Sequence, residues 1–260
     1  MKLPSVSFCG LDITRLVIGA NPFGGYSHQS PERDKAMLAH CTVPHILETW
    51  KRAEAAGINT MVTNNESAHV VEAVEKYISG GGTMQWIAQV NNRVNSDMKA
   101  EVDRVTRIGC KALYFHGYHV DEAFRRQDKS LLTDWCAHAR SKGVPAGVAG
   151  HSPDAHLWVN SLDITDFHVV CFFNCGSLHA GKGHKFRLAD MAPATEAIRR
   201  IKKPCIGYKI MGAGRIDPRL AFEYAFENIK PGDVVNVGMY RGDKDGIVEE
   251  NADLVRAVLG

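Results

Sequence analysis

Three absences narrow this sequence before any motif is read. No apolar run approaches the ~18 residues that a membrane-spanning helix needs, and the opening Met1-Lys2-Leu3-Pro4-Ser5-Val6-Ser7-Phe8 has neither an apolar core nor a small-residue cleavage site. Charge of one sign is missing too: 31 Lys and Arg stand against 29 Asp and Glu, with no basic block and no basic-aromatic interleaving to track a nucleic-acid backbone. Finally, none of the seven cysteines pairs at zinc-ribbon spacing, and Cys110 and Cys205 sit at the starts of apolar runs, where small reduced thiols are commonly buried. The expectation is a cytoplasmic protein with no nucleic-acid partner and no membrane partner.

What the 260 residues do hold is enough apolar sequence, 45%, for one large core, and a regular alternation. Residues 6–20 pattern as a hairpin leading into a first strand, Leu16–Ala20, which ends in Asn21-Pro22-Phe23-Gly24-Gly25. Further short apolar runs follow at Ile58–Thr63, Met84–Val90, Lys111–Phe115, Val144–Ala149, Phe167–Phe173, Cys205–Met211 and Val234–Val237. Helical stretches fall between them: His45–Ala56 closed by Gly57, His69–Tyr77, a helix capped by Ser96 or Asp97 that runs to Ile108, Lys129–Ser141, and Ala192–Ile201. Residues 26–43 read as a long polar connection. Eight strands with intervening helices predict an α/β protein, a single (β/α)8 TIM barrel over residues 1–260 with a short N-terminal β-hairpin. An open doubly wound sheet is disfavoured, because no Gly-x-Gly-x-x-Gly follows the first strand.

In such a barrel the strand C-termini converge on the active site. The most telling of them is Leu113-Tyr114-Phe115-His116-Gly117-Tyr118-His119-Val120-Asp121, an apolar run that stops on a histidine. His151 holds the corresponding place on the next strand, after Gly150. Together with Glu66, the nearest carboxylate by topology, His116 and His151 would suit a divalent zinc, manganese or cobalt ion; the alternative is two independently hydrogen-bonded histidines. Lys209 interrupts an otherwise uncharged run, where it would clamp an anion, act as a base or form an imine, or else pair with an acid. Asn21, Asn64, Gln89, Asn91 and Asn174 make four strand ends rich in amides, which suits a hydroxyl-rich ligand, although any one of them also reads as a turn residue. Tyr240 and Arg241 would bind phosphate or carboxylate, with an ordinary surface arginine as the equal alternative. His168 reads as core, His119 as surface turn, and the loop Cys175–His184 as a lid or a plain connection.

Several stretches resemble the aldo-keto reductase family: Gly10–Gly19 with Phe23-Gly24-Gly25, Ala56-Gly57-Ile58-Asn59 with Thr63, Leu113–His116, Gly147-Val148, Tyr208 with Gly212 and Gly214, and Val237-Gly238-Met239 with Val248–Asn251. The resemblance implies the barrel fold. It also implies that the family's catalytic aspartate, tyrosine, lysine and histidine fall at Val62, Ser67, Gln89 and His116, so that only the histidine is kept. The residues that grip the nicotinamide amide in that family fall at Ala149, Gly150 and near Val170, so NADP becomes the less expected cofactor.

The leading expectation is therefore acid-base or metal-assisted chemistry, of lyase, hydratase or isomerase type, on a small sugar-like or keto substrate. His116, His151 and Lys209 would be catalytic, and a homo-oligomer is compatible with the sequence. Two alternatives stand beside it: an NADP-dependent oxidoreductase with a rearranged proton donor, and a non-catalytic metabolite-binding protein.

Overall fold

The computed structural model describes residues 2–173 and 186–260. Strands β1 (Ser5–Phe8) and β2 (Leu11–Thr14) form an antiparallel hairpin. Its two-residue turn, Cys9-Gly10, has φ of 50° and 84°, the doubly left-handed geometry that matches the twist of paired strands. The hairpin does not join the barrel sheet. Phe8 and Ile13 instead belong to the cluster formed by inward residues such as Val17, Ile87, Ala112, Phe167 and Val234. Phe8 meets Phe167 edge-on at 5.3 Å, and burying a side chain of this size contributes about 2–3 kcal/mol.

Above this plug, eight parallel strands close into a barrel: β3 (Leu16–Gly19), β4 (Thr60–Asn64), β5 (Gln85–Val90), β6 (Ala112–Phe115), β7 (Ala146–Gly150), β8 (Phe167–Cys171), β9 (Cys205–Tyr208) and β10 (Val234–Gly238), with β10 pairing back onto β3. Alternation along each strand sends one set of side chains to the interior and the other to the helices. In β5, Ile87 packs in the interior cluster while Trp86 and Ala88 join the outer core. The outer core also takes helix faces such as Ile46, Trp50 and Ala53 of α2 (Val43–Ala55).

Local signals explain the helix ends. Asp97 caps α4 (Met98–Ile108) by accepting the N–H groups of Lys99 and Ala100, and Gly109 closes it at φ 118°, a conformation that favours glycine. Helix α3 (Ala68–Ser79), α6 (Ser130–Ser141) and α8 (Met191–Arg200) fall where apolar periodicity places them.

The structure adds four helices in the barrel crossovers. Residues 26–43 contain α1 (Pro31–His40), which buries only Met37 and so carries little periodic signal, although Ser30 caps it and Pro31 starts it. Helix α5 (Gly117–Arg126) begins directly after β6, so His119 is a helical residue and not a turn. Helices α7 (Pro153–Leu162) and α9 (Pro218–Asn228) complete two crossovers, and α10 (Ile247–Leu259) ends the chain. Strand ends differ as well. β9 stops at Tyr208 because Lys209 adopts φ 59°, which cannot extend a ladder, so Lys209 stands in the loop beyond the strand.

Candidate active site

At the C-terminal mouth a cavity of about 290 Å³ opens among the ends of β3, β4, β5, β6, β9 and β10. This is near the lower end of the roughly 300–1,000 Å³ typical of small-molecule sites. Its floor is built by strand alternation. Val62, Gln89, Tyr114, Tyr208 and Asn236 all reach it, while Asn21, Tyr26, His28, Arg33, Lys209 and Tyr240 form its walls and rim.

Asn236 is the polar interruption in an apolar strand. Its Oδ1 is buried without a hydrogen-bond partner among the described residues, and a Cβ on Gly19 would lie 2.5 Å from that oxygen. Only glycine at 19 leaves the amide in place. Tyr114, fully buried, donates its hydroxyl to Gln89 Oε1 at 3.2 Å. Burial pushes its phenol well above the ordinary tyrosine range, so it stays protonated at neutral pH. Asn64 accepts the N–H groups of Glu66 and Ser67 at 3.1 and 2.8 Å, so its amide fixes the β4 turn as well as lining the cavity. Lys209 Nζ lies 5.5 Å from the centroid of the Tyr208 ring.

The histidines stand on the neighbouring sector of the barrel, outside the cavity lining. His116 caps α5, its Nδ1 accepting the Tyr118 N–H at 3.2 Å. His151 is held by Asp121 of α5: Nδ1 lies 2.8 Å from Asp121 Oδ2, and the His151 N–H donates to Asp121 Oδ1 at 3.2 Å. The His151 ring lies 6.3 Å from that of His116 and 6.5 Å from that of Tyr208, centroid to centroid. Of the two, His151 has a ring contact with a residue of the cavity lining, Tyr208.

Other expected site residues are placed differently. Glu66 pairs with Arg93 at 3.6 Å, and among the described residues no three His, Cys, Asp or Glu side chains group as a metal ion would require. Asn91 lies outside the cavity lining; its backbone exchanges hydrogen bonds with the Asn65 side chain at 2.8 and 2.9 Å. Arg241 faces away from the mouth into a network with Glu48 and Asp245, at 2.9 and 2.6 Å. Tyr240 reaches the rim, its ring under the Arg33 guanidinium, which also pairs with Asp243. Asn174 and the loop Cys175–His184 lie outside the described residues.

Sequence reasoning passed over Tyr114, Asn236 and Asp121. The first two carried a signal, since each shares the inward parity of its strand. Asp121 carried none until α5 was known to follow His116 directly.

Behind this sector lies a buried pair. His156 of α7 and His168 of β8 approach to 3.1 Å through their Nδ1 atoms, and His156 Nε2 lies 3.3 Å from the Gly150 carbonyl, immediately before His151. Burial lowers His156 to about 4 and holds His168 well below the ordinary range, so both are neutral at physiological pH.

The family resemblance calls for a test of fit to a dinucleotide phosphate at the start of α10. The residues there do not fit one. Asp243, Asp245, Glu249 and Glu250 crowd the helix start, and the nearby arginines Arg52 and Arg241 are taken up by Asp245, Glu249 and Glu48. An arriving phosphate would meet carboxylates where it needs free donors.

No protein-family model matches this chain, and no curated protein matches it. Solved structures do match in fold. A Pseudomonas aeruginosa protein assigned as an aldo-keto reductase superposes with a TM-score of 0.68 at 16% identity, covering 98% of this chain and 94% of that one. Dihydropteroate synthase from Yersinia pestis gives 0.55 at 9% identity, covering 98% and 97%. An aldolase, QR15, gives 0.53 at 13%, covering 85% and 90%. At these identities the likeness is one of fold: an aldo-keto-reductase-like TIM barrel.

Proposed function

From that barrel we propose an acid-base enzyme of lyase, hydratase or isomerase type, acting on a small polyhydroxylated or keto compound without nicotinamide redox chemistry. The observation that carries the reading is the convergence of Asn64, Gln89, Tyr114, Tyr208, Asn236 and Lys209 on one small cavity at the strand C-termini. Amides and phenols both donate and accept hydrogen bonds, which matches hydroxyl groups. Lys209 supplies positive charge to an enolate or alkoxide oxygen that develops in the transition state. His151, beside Tyr208, carries the proton. His116, bonded to the α5 backbone, contributes mainly through its contact with His151.

One observation favours a second reading, an NADP-dependent reductase with a rearranged proton donor. Tyr26 lines the cavity and hydrogen-bonds Ser67, the position where the resemblance puts the family's tyrosine. Its phenol is raised, first by burial and then by the charge of Glu66. Fluorescence titration with NADPH separates the two readings. No binding up to millimolar cofactor, together with cofactor-free turnover of a keto-sugar, is the expected result; micromolar binding transfers the case to the reductase.

A further inference from the structure

Asp121 is the residue on which the chemistry of the histidine sector turns, and it belongs to no strand end. It sits in the second turn of α5 and reaches the loop after β7, where one oxygen takes the His151 backbone N–H at 3.2 Å and the other faces His151 Nδ1 at 2.8 Å. One carboxylate thus holds both the backbone and the ring of His151. The packing around the ring is equally exacting. A Cβ on Gly117 would lie 2.5 Å from His151 Cε1 and 2.8 Å from Nδ1, so glycine at the start of α5 is what lets the ring lie against the helix. A Cβ on Gly150 would lie 2.9 Å from His156 Nε2, so the neutral His156–His168 pair supports the loop from behind. The His151 side chain is 7% exposed and the Asp121 side chain 18%.

We propose that Asp121 and His151 form an oriented dyad. Asp121 is a positioning residue that holds the His151 proton on Nδ1, so that Nε2 is the nitrogen that takes and returns the substrate proton. This rests on the acid-base reading above and deepens it. A carboxylate facing one imidazole nitrogen accepts its N–H and so fixes the tautomer; the basic lone pair is then carried by the other nitrogen. Tyr208 links the two groups, its ring centroid lying 6.5 Å from that of His151 and 5.5 Å from Lys209 Nζ. The step balances without an oxidant or reductant. A C–H bond next to a carbonyl breaks, its proton goes to Nε2 and its electron pair moves into the carbonyl. The enolate oxygen then faces the Lys209 ammonium, and the imidazolium returns the proton to carbon or to a leaving oxygen.

The test begins with the wild-type protein and needs no ligand. Nitrogen-15 NMR of histidine-labelled protein at neutral pH, with the His151 signals assigned by their loss in His151→Gln, is expected to show the proton on Nδ1. A proton on Nε2, or rapid exchange between the two tautomers, overturns the dyad. In Asp121→Asn, where the amide can donate to Nδ1, the proton is expected to move to Nε2. An unchanged tautomer in a folded Asp121→Asn overturns the positioning role. With a turned-over keto compound, Asp121→Asn is expected to lower kcat by about 10²–10⁴-fold with KM changed less than threefold, and a fall confined to KM overturns the assignment. If the tautomer is as expected and no tested compound exchanges a proton, the dyad stands and the acid-base reading fails.

Discussion

The barrel mouth divides into two halves built on different principles. On the β3, β4, β9 and β10 side, polar side chains are brought together around open space, and the buried Asn236 Oδ1 has no partner among the described residues. On the β6 and β7 side, polar groups are bonded in pairs: Tyr118 N–H to His116, and Asp121 to His151, with His156–His168 behind. The open half has hydrogen-bonding capacity left over for a ligand, whereas the closed half has its geometry fixed in advance. On the proposed mechanism, binding and proton transfer would fall to neighbouring sectors of one sheet, with Tyr208 between them.

The division can be broken most severely at its closed half. His151→Gln keeps a hydrogen-bonding side chain but removes the base, and should lower the rate of proton exchange on a bound keto compound by about 10²–10⁴-fold while leaving binding measured by calorimetry within threefold. Lys209→Met tests the junction. Losing the charge that meets the developing oxyanion should cost about 10²–10³ in kcat, measured on the same exchange reaction.

The buried histidine pair gives a third test, by pH. Both histidines have folded values below the unfolded value, so the unfolded state binds more protons as pH falls below about 6.5. Their contribution to stability is thus complete above that pH and is lost as pH falls toward the folded value of about 4 for His156. Urea unfolding between pH 7 and pH 4 should show a loss on the order of 3 kcal/mol, and His156→Gln combined with His168→Phe should flatten that slope.

The smaller effects lie in the open half. Asn236→Ala should weaken ligand binding about 5–10-fold, the value of one hydrogen bond, without altering the His151 tautomer. Arg241→Met should leave binding unchanged and lower stability by about 1 kcal/mol or less, since its partners Glu48 and Asp245 are largely exposed.

Much of the fold was legible in the sequence because strand alternation and glycine or aspartate caps are local signals. Asp97 and Gly109 mark α4 at both ends. Helix α1 escaped notice because it buries one side chain, and α5 because its cap is a histidine, His116, that was read only as chemistry. The end of β9 escaped because a left-handed lysine has no compositional signature. At the site, Asn64 and Gln89 were readable as amides at strand ends and Lys209 as a charge interrupting an apolar run, and all three line the cavity. Arg241 occupies an equivalent place in the chain yet turns outward, because Asp245, four residues on, and Glu48, brought close only in the fold, compensate its charge. Asp121 could not be found because its partner is 30 positions away, on the far side of α6 and β7.

The most direct measurement is deuterium wash-in, followed by proton NMR, on a panel of small keto-sugars incubated with the protein in heavy water without cofactor. Exchange at the carbon beside the carbonyl of at least one compound, abolished in His151→Gln and in Lys209→Met, is the expected result. Absence of exchange across the panel, with reduction of the same compounds once NADPH is added, would contradict it.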